Sequence, residues 1–532
     1  MNKAFRPGER KERRPAGPLG LALEARLPAL AELWRAELSG GGPKGTGSAL
    51  SPAEVESAGA ALLRLQRGLT GERGLAGEPY MDDSRLLGAY LLYYWPVSYL
   101  EASLALATLA ASGRAAPRRV LDLGAGPGPL SAAALDLGAE ELCLVDSSAR
   151  ALDLAGRLLG PAPRPGERPG ARSEGRRPDA GLGARSEGRG PDSPRPSAPR
   201  SAEGRGAKAL SAFRLDLEAE GAAAALPPGP FDAVLMGRAV NELWKGREDR
   251  LERRLDLLKA AQARLAPGGF LLVLEPAVLL SSREALELRD RLVTKGAPIL
   301  GPCLRQGPCP ALAAGPGHSC HGEYPWSPPE PVASLARRAG LDRSSVKTTW
   351  FAAGRPGDAP PGAARAEAFQ PAPAAAPSEA LPAGAHKAAP SVGAPREAAS
   401  PREGAGPGGV IRALVVSEPM LNKAGRTRYL LCGEEGRRAF SAAKDDGRAQ
   451  AAGFRTLGRY DIVRITRPEA RPGQGEGKGR GAAAAGRAGS PAARGAAGLG
   501  KAEPREEAAR NEAAAIGFGP ETLLEIERAP RP

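Results

Sequence analysis

The run Val120-Leu-Asp-Leu-Gly-Ala-Gly-Pro-Gly128 constrains the fold of this chain more than any other feature. Its first half, Arg119-Val-Leu-Asp-Leu123, is a short apolar strand, and a helix is predicted from near Pro129. Between them lie Gly124, Gly126 and Gly128. Glycine lets the backbone turn sharply and approach a ligand closely. The N-terminus of the following helix adds unpaired N–H donors. A second strand, Glu141-Leu-Cys-Leu-Val145, ends at Asp146, where a carboxylate can accept both hydroxyls of a ribose. No Gly-Lys-Ser/Thr follows the loop, which excludes a P-loop, and Pro129 stands where a nicotinamide-type fingerprint needs glycine. Strand, loop, helix, strand and acid predict a Rossmann-like α/β sheet with its cofactor at this loop.

The glycines follow the form Asp-Leu-Gly-x-Gly-x-Gly, which resembles motif I of class I methyltransferases dependent on S-adenosylmethionine (SAM). That resemblance implies SAM as cofactor, with Asp122, Gly124, Gly126, Gly128 and Asp146 around it. Phe213-Arg-Leu-Asp216 ends a third strand; Asp216 is either the polar group near the adenine or a plain helix cap. Phe231-Asp-Ala-Val-Leu-Met236 reads as the fourth strand, and Leu265-Ala-Pro-Gly-Gly-Phe through Glu275 as helix end, turn and fifth strand. After the fourth strand come Asn241 and Glu242. They are the candidates for substrate contact or catalysis, or else caps of the next helix. The Asn/Asp-Pro-Pro-aromatic motif with which many amino-methyltransferases hold a flipped base is missing here. Methyl transfer needs mainly in-line positioning of the acceptor, so activity stays open.

Composition divides the remainder. Gly (70) and Pro (53) make up nearly a quarter of 532 residues and aromatics only 4%, so the packed core is smaller than the length implies. Residues 1–115 read as a helical region, with Leu-rich segments at 19–38 and 51–67 and a dense Leu/Tyr/Ala stretch from Tyr80 to Ala111. Residues 116–352 form the cofactor domain, interrupted by a low-complexity insertion at 160–208 that repeats Ala-Arg-Ser-Glu-Gly-Arg at 171–176 and 184–189. Such segments bury too little apolar surface to offset their ordering entropy and are read as disordered. A second linker spans 353–409, a small β-rich block spans 410–467 and reads as a barrel, and 468–532 is a mostly disordered tail ending in one short helix. The formal charge of +14 suits RNA or an anionic surface, or reflects Arg-rich linkers. Arg412, Lys423, Arg426, Arg428, Arg437 and Arg438 offer a track for a phosphate backbone, or a solvated strand face. The basic start lacks an apolar core and is no secretory signal, Glu9 and Glu12 argue against a mitochondrial presequence, and no apolar run is long enough to span a membrane.

Five cysteines without a secretion signal point to a reducing compartment and to thiols as ligands. Cys143 lies inside the second strand and reads as core. Cys303, Cys309 and Cys320 lie in a Pro/Gly-rich loop at 300–326 with spacing C-x5-C-x10-C, and Cys432 follows 112 residues later. Four thiolates suit an iron–sulfur cluster or a structural zinc, and His318 and His321 keep a Cys3His zinc site open. Tyr90, Tyr93, Tyr94, Trp95 and Tyr99 stack on a base, close over the cofactor, or pack as core.

Taken together, Tyr80 to Tyr99, the glycine loop, Val240-Asn-Glu-Leu243, Glu275-Pro276, Pro302-Cys through Cys309-Pro310, Cys320-His321, Pro325-Trp-Ser-Pro-Pro329, Val416-Ser-Glu-Pro-Met420 with Lys423, Cys432-Gly-Glu-Glu-Gly436, Lys444-Asp445 and Gly458-Arg-Tyr-Asp461 resemble one family. It comprises the methyltransferase-like assembly factors of the mitochondrial small ribosomal subunit and their bacterial relatives. The resemblance covers 80–159, 209–351 and 410–466. It implies a [4Fe–4S] cluster on Cys303, Cys309, Cys320 and Cys432, and the small ribosomal subunit and its rRNA as partners. No membrane or DNA partner is expected. Where the family often has His two residues after the first cysteine, this chain has Arg305. The expected function is assembly or translation on the small subunit, with or without rRNA methylation, in the cytoplasm, or in mitochondria if the chain is eukaryotic. The alternatives are an RNA methyltransferase with a structural zinc and a small-molecule methyltransferase.

Overall fold

A computed structural model describes residues 16–39, 47–71, 73–161, 206–359, 410–421, 425–471 and 515–532. The expected disordered insertion, the second linker and most of the tail lie outside the described residues.

The N-terminal region forms helices α1 (Pro18–Glu24), α2 (Leu27–Glu37), α3 (Pro52–Gln66), α4 (Ser84–Ala89) and α5 (Trp95–Ala111). The Leu-rich segment at 19–38 is helical as expected and is split between α1 and α2, where Pro28, in the first turn of α2, has no N–H to give the turn before it. A capping box of Ser51 and Glu54 starts α3. A π-helical turn, Tyr90–Tyr94, joins α4 to α5. Helix α5 is apolar on nearly every face and is buried over most of its length, which suits a helix sandwiched between layers.

The next layer alternates strand and helix: β1 (Arg119–Leu123), α6 (Pro129–Asp136), β2 (Glu141–Asp146), α7 (Ala149–Leu159), β3 (Ala209–Arg214), α8 (Ala222–Ala225), β4 (Phe231–Gly237), α9 (Arg250–Gln262), β5 (Leu265–Pro276), α10 (Leu279–Thr294) and β6 (Ile299–Gly301). After the short helix α11 (Pro310–Ala313) come β7 (Gly322–Pro325), α12 (Glu330–Arg338) and β8 (Ser345–Ala353). The strands order as β3-β2-β1-β4-β5-β8-β6. β3, β2, β1, β4 and β5 run parallel, and β8 inserts antiparallel between β5 and β6. The central strands are apolar runs because helices cover both faces of the sheet. One face packs under α5 and the N-terminal helices, the other under α9 and α10.

The second sheet comprises β9 (Val410–Val415), β10 (Met420–Leu421), β11 (Arg426–Gly433), β12 (Gly436–Ala443), β13 (Ile462–Thr466), β14 (Glu469–Ala470), β15 (Ile516–Gly517) and β16 (Leu523–Glu527), with α13 (Gly447–Ala451) beside it. Its order is β14-β15-β12-β11-β9-β13-β16, so among the described residues it is an open path and does not close into the barrel expected. The terminal helix expected from sequence is also replaced: Leu523–Glu527 pairs along all of β13. Leu and Glu favour helix locally, but a partner edge and an apolar neighbour override so short a segment.

Candidate cofactor pocket and four-cysteine site

The strand order reverses direction between β1 and β4, and the crevice beyond the carboxyl ends of these strands is where such sheets hold ligands. A cavity of about 620 Å3 lies there. It is lined by Gly124 and Gly126 after β1, Asp146 at the end of β2, Asp216 after β3, Arg238 and Glu242 after β4, and the segment 77–82 from the N-terminal region.

The loop is built to stay thin. Gly124 sits at φ +71°, and a Cβ there would meet the Ala239 side chain at 2.6 Å. Gly128 sits at φ +76° at the cap of α6, where a Cβ would lie 2.5 Å from Leu159. Gly128 therefore does not line the cavity; it lets α6 close on α7. Asp122 is likewise not among the residues lining the cavity. Its carboxylate is buried and accepts the Ser131 Oγ hydrogen bond at 2.7 Å, tying β1 to α6 behind the loop. Burial pushes it up to about 7. Asp146 takes the remaining position. It accepts the N–H of Gly126 and that of Ser148, each at 2.8 Å, while its carboxylate borders the cavity. Burial raises its pKa, against the pull of those two donors.

Of the two candidates after β4, Glu242 lines the cavity and Asn241 does not. Asn241 is consumed by structure: its amide oxygen accepts from Arg73 at 3.0 Å, its side-chain N–H donates to the Arg238 carbonyl at 3.0 Å, and its backbone N–H donates to Glu275 at 3.1 Å. Burial, and then neighbouring Glu275, push Glu242 up to about 8. Arg238, at φ +60°, pairs through two nitrogens with the wholly buried Glu101 of α5. This pair joins the N-terminal helices to a residue that lines the cavity, and it is not legible in the sequence because a lone Glu in an apolar helix carries no signature.

The aromatic cluster mostly packs as core. Tyr93, Trp95 and Tyr99 are buried, Trp95 Nε1 donates to the Pro127 carbonyl of the loop at 2.9 Å, and Tyr99 donates to Asp136. Tyr90 alone of the five lines the cavity.

The antiparallel strand between the fifth and the last, beside a glycine loop tied to an acid at the end of β2, decides the architecture. This is the fold of a class I SAM-dependent methyltransferase. No family model matches the sequence, and no curated protein does. Among solved structures, a magnesium protoporphyrin IX methyltransferase from Synechocystis PCC 6803 with bound SAM matches at 12% identity over 58% of this chain and 100% of its own, with a TM-score of 0.26. A candidate RNA methyltransferase from Pyrococcus horikoshii matches at 14% identity over 48% of this chain and 83% of its own, with a TM-score of 0.25. The chain spans about half the length of two further matched methyltransferases. These scores are low, and the fold is read from the strand order and the loop.

Folding also gathers the four separated cysteines. Cys303, Cys309 and Cys320 from the loop after β6, and Cys432 from β11, line one narrow cavity between the two sheets. Among the described residues no three His, Cys, Asp or Glu side chains converge as the ligands of a single metal ion do. His318 is exposed, and neither it nor His321 borders the thiol cavity. Cys143 is core, as expected. Burial pushes the Cys303, Cys320 and Cys432 thiols up to about 12. Arg289, Arg305 and Arg437 line the same cavity. Arg305 donates to the Pro308 carbonyl at 2.9 Å and to the Glu434 carbonyl of the β11–β12 turn, holding the two sheets together beside the thiols.

On the second sheet the strand register sets Arg412, Arg426, Arg428 and Arg437 on one side. Arg437 turns to the thiols, Arg438 is largely buried and pairs with Glu435, Arg426 donates to the Ser441 carbonyl at 3.1 Å, and Lys423 lies outside the described residues. No described helix is long and apolar enough to cross a membrane.

Proposed function

We propose that this chain binds SAM and acts as a methyltransferase-like factor on the small ribosomal subunit, with an iron–sulfur cluster on Cys303, Cys309, Cys320 and Cys432. The observation that carries the SAM reading is the Asp146 carboxylate held against the Gly126 N–H at the mouth of a cavity of about 620 Å3, a size that suits a nucleoside cofactor. Gly124 and Gly126 keep the backbone close to the ligand, Asp146 takes the ribose hydroxyls, and Asp216 stands where the adenine would lie. Glu242 and Arg238 face the space left for the acceptor.

The thiols fit a cluster on chemical grounds. Four cysteines and three arginines line one desolvated cavity, which balances thiolate charge, and a cluster spreads its ligands more widely than one zinc ion does. When bound, the cluster supplies a cross-link between the sheets and a redox-sensitive centre. The ribosomal assignment is supported by the family resemblance and by the formal charge of +14.

Three measurements test this reading in order. Anaerobically purified protein is expected to hold about four irons and four sulfides per chain; stoichiometric zinc without sulfide refutes the cluster. Native purification is expected to recover small-subunit rRNA, and its absence refutes the ribosomal assignment. Labelled methyl transfer to pre-ribosomal RNA, with Gly126→Arg as the dead control, separates an active enzyme from a SAM-bound factor.

A further inference from the structure

The thiol cavity has an unusual neighbour in Arg289. This side chain of α10 is 1% exposed. An isolated cation at such depth is costly unless an anion balances it. Its terminal nitrogens are engaged: they pair with Asp290 and donate to the carbonyls of Arg305 and Gly307. Its Nε is buried with no hydrogen-bond partner. The other oxygen of Asp290 accepts the Cys309 N–H at 2.8 Å, so the ion pair is tied to the cysteine loop. Arg289 thus lines the thiol cavity with one donor unpartnered, while its other nitrogens brace the loop that carries Cys303 and Cys309. Among the residues lining the cavity there is no carboxylate.

We propose that Arg289 is a charge-balancing, positioning residue for the group held by the four cysteines, and that it raises the reduction potential of that group. The inference rests on the cluster reading above. The physical reason is direct: a buried cation beside an anionic cluster favours the added electron, and hydrogen bonds near the sulfurs act in the same direction. The step concerned is one-electron reduction of the cluster by an external reductant, with no bond made or broken in the protein.

The test is an anaerobic redox titration of the full chain, followed by absorption and electron paramagnetic resonance, with iron and sulfide counted in each sample. Wild type is compared with Arg289→Gln and Arg289→Lys. The expected result is a more negative midpoint potential in Arg289→Gln and a potential near wild type in Arg289→Lys, which keeps the charge but loses the planar fork. If Arg289→Gln cannot hold iron, a loaded Arg289→Lys at wild-type potential still supports the charge role. A fully loaded Arg289→Gln with unchanged potential overturns it. So does an Arg289→Lys that loses its iron or shifts as far as Arg289→Gln, because guanidinium geometry and not charge would then be what matters. Wild-type protein without iron and sulfide defeats the cluster reading itself, and is told apart by appearing before any variant is made.

Discussion

Replacing Asp146 tests the cofactor pocket most directly. In the folded chain its carboxylate already accepts the N–H groups of Gly126 and Ser148, each at 2.8 Å. A carboxylate has capacity for about four acceptor contacts, so room for both ribose hydroxyls remains. Hydrogen bonds to a charged group contribute roughly 1.5–3 kcal/mol each. Asp146→Ala removes both and frees the Gly126 N–H, so at least about 3 kcal/mol of binding should go, roughly a hundredfold in Kd. Asp146→Asn keeps the shape and one acceptor oxygen and should lose about tenfold, near 1.4 kcal/mol. Burial raises the Asp146 pKa, so binding should weaken on acidification sooner than an exposed aspartate would dictate. The assay is isothermal calorimetry with S-adenosylhomocysteine, alongside thermal melting to confirm that each variant folds. A folded Asp146→Ala that binds within about threefold of wild type (about 0.7 kcal/mol) would refute the reasoning.

Other consequences follow from the same geometry. Gly128→Val combines a left-handed backbone with a Cβ 2.5 Å from Leu159 and should destabilise by about 3 kcal/mol, read as a lowered urea midpoint. Asp461 is wholly buried and accepts from Arg528, Arg531 and the backbone N–H of Gly458 and Ala529; Asp461→Ala should cost about 3–5 kcal/mol and expose the C-terminal strand to limited proteolysis. Cys432→Ser should abolish iron and sulfide while leaving S-adenosylhomocysteine binding within a few-fold, because β11 lies outside the cofactor cavity. Burial lifts Asp122 and Glu275 to about 7 and Glu242 to about 8. Folded pKa values above the unfolded ones mean that this contribution is complete below the ordinary carboxylate range and is lost as pH rises towards 8. Urea midpoints should fall over that window, and Glu275→Gln should flatten the slope.

The glycine loop was legible in the sequence because its demands are local. A strand must end, the backbone must take a left-handed turn, and an acid must stand at the next strand's end; only a few residue types meet each demand. The same holds for α3, whose capping box and apolar spacing lie within a few residues of one another. Cys303, Cys309, Cys320 and Cys432 were suspect as ligands from their number, but that all four border one cavity depends on two sheets docking across a linker. Long-range packing decided the rest. Asp122 and Asp146 both lie near the ends of apolar strands, yet one turns to Ser131 and the other lines the cavity. Asn241 and Glu242 are adjacent, yet only Glu242 reaches the pocket. Leu523–Glu527 has a helical composition and became a strand because β13 offered an unpaired edge. Arg289 looked like any arginine on an amphipathic helix. Its burial beside the thiols follows from where α10 lands on the cysteine loop. Backbone requirements are written in neighbouring residues, whereas burial, charge balance and the direction of a side chain belong to contacts between residues far apart in the chain.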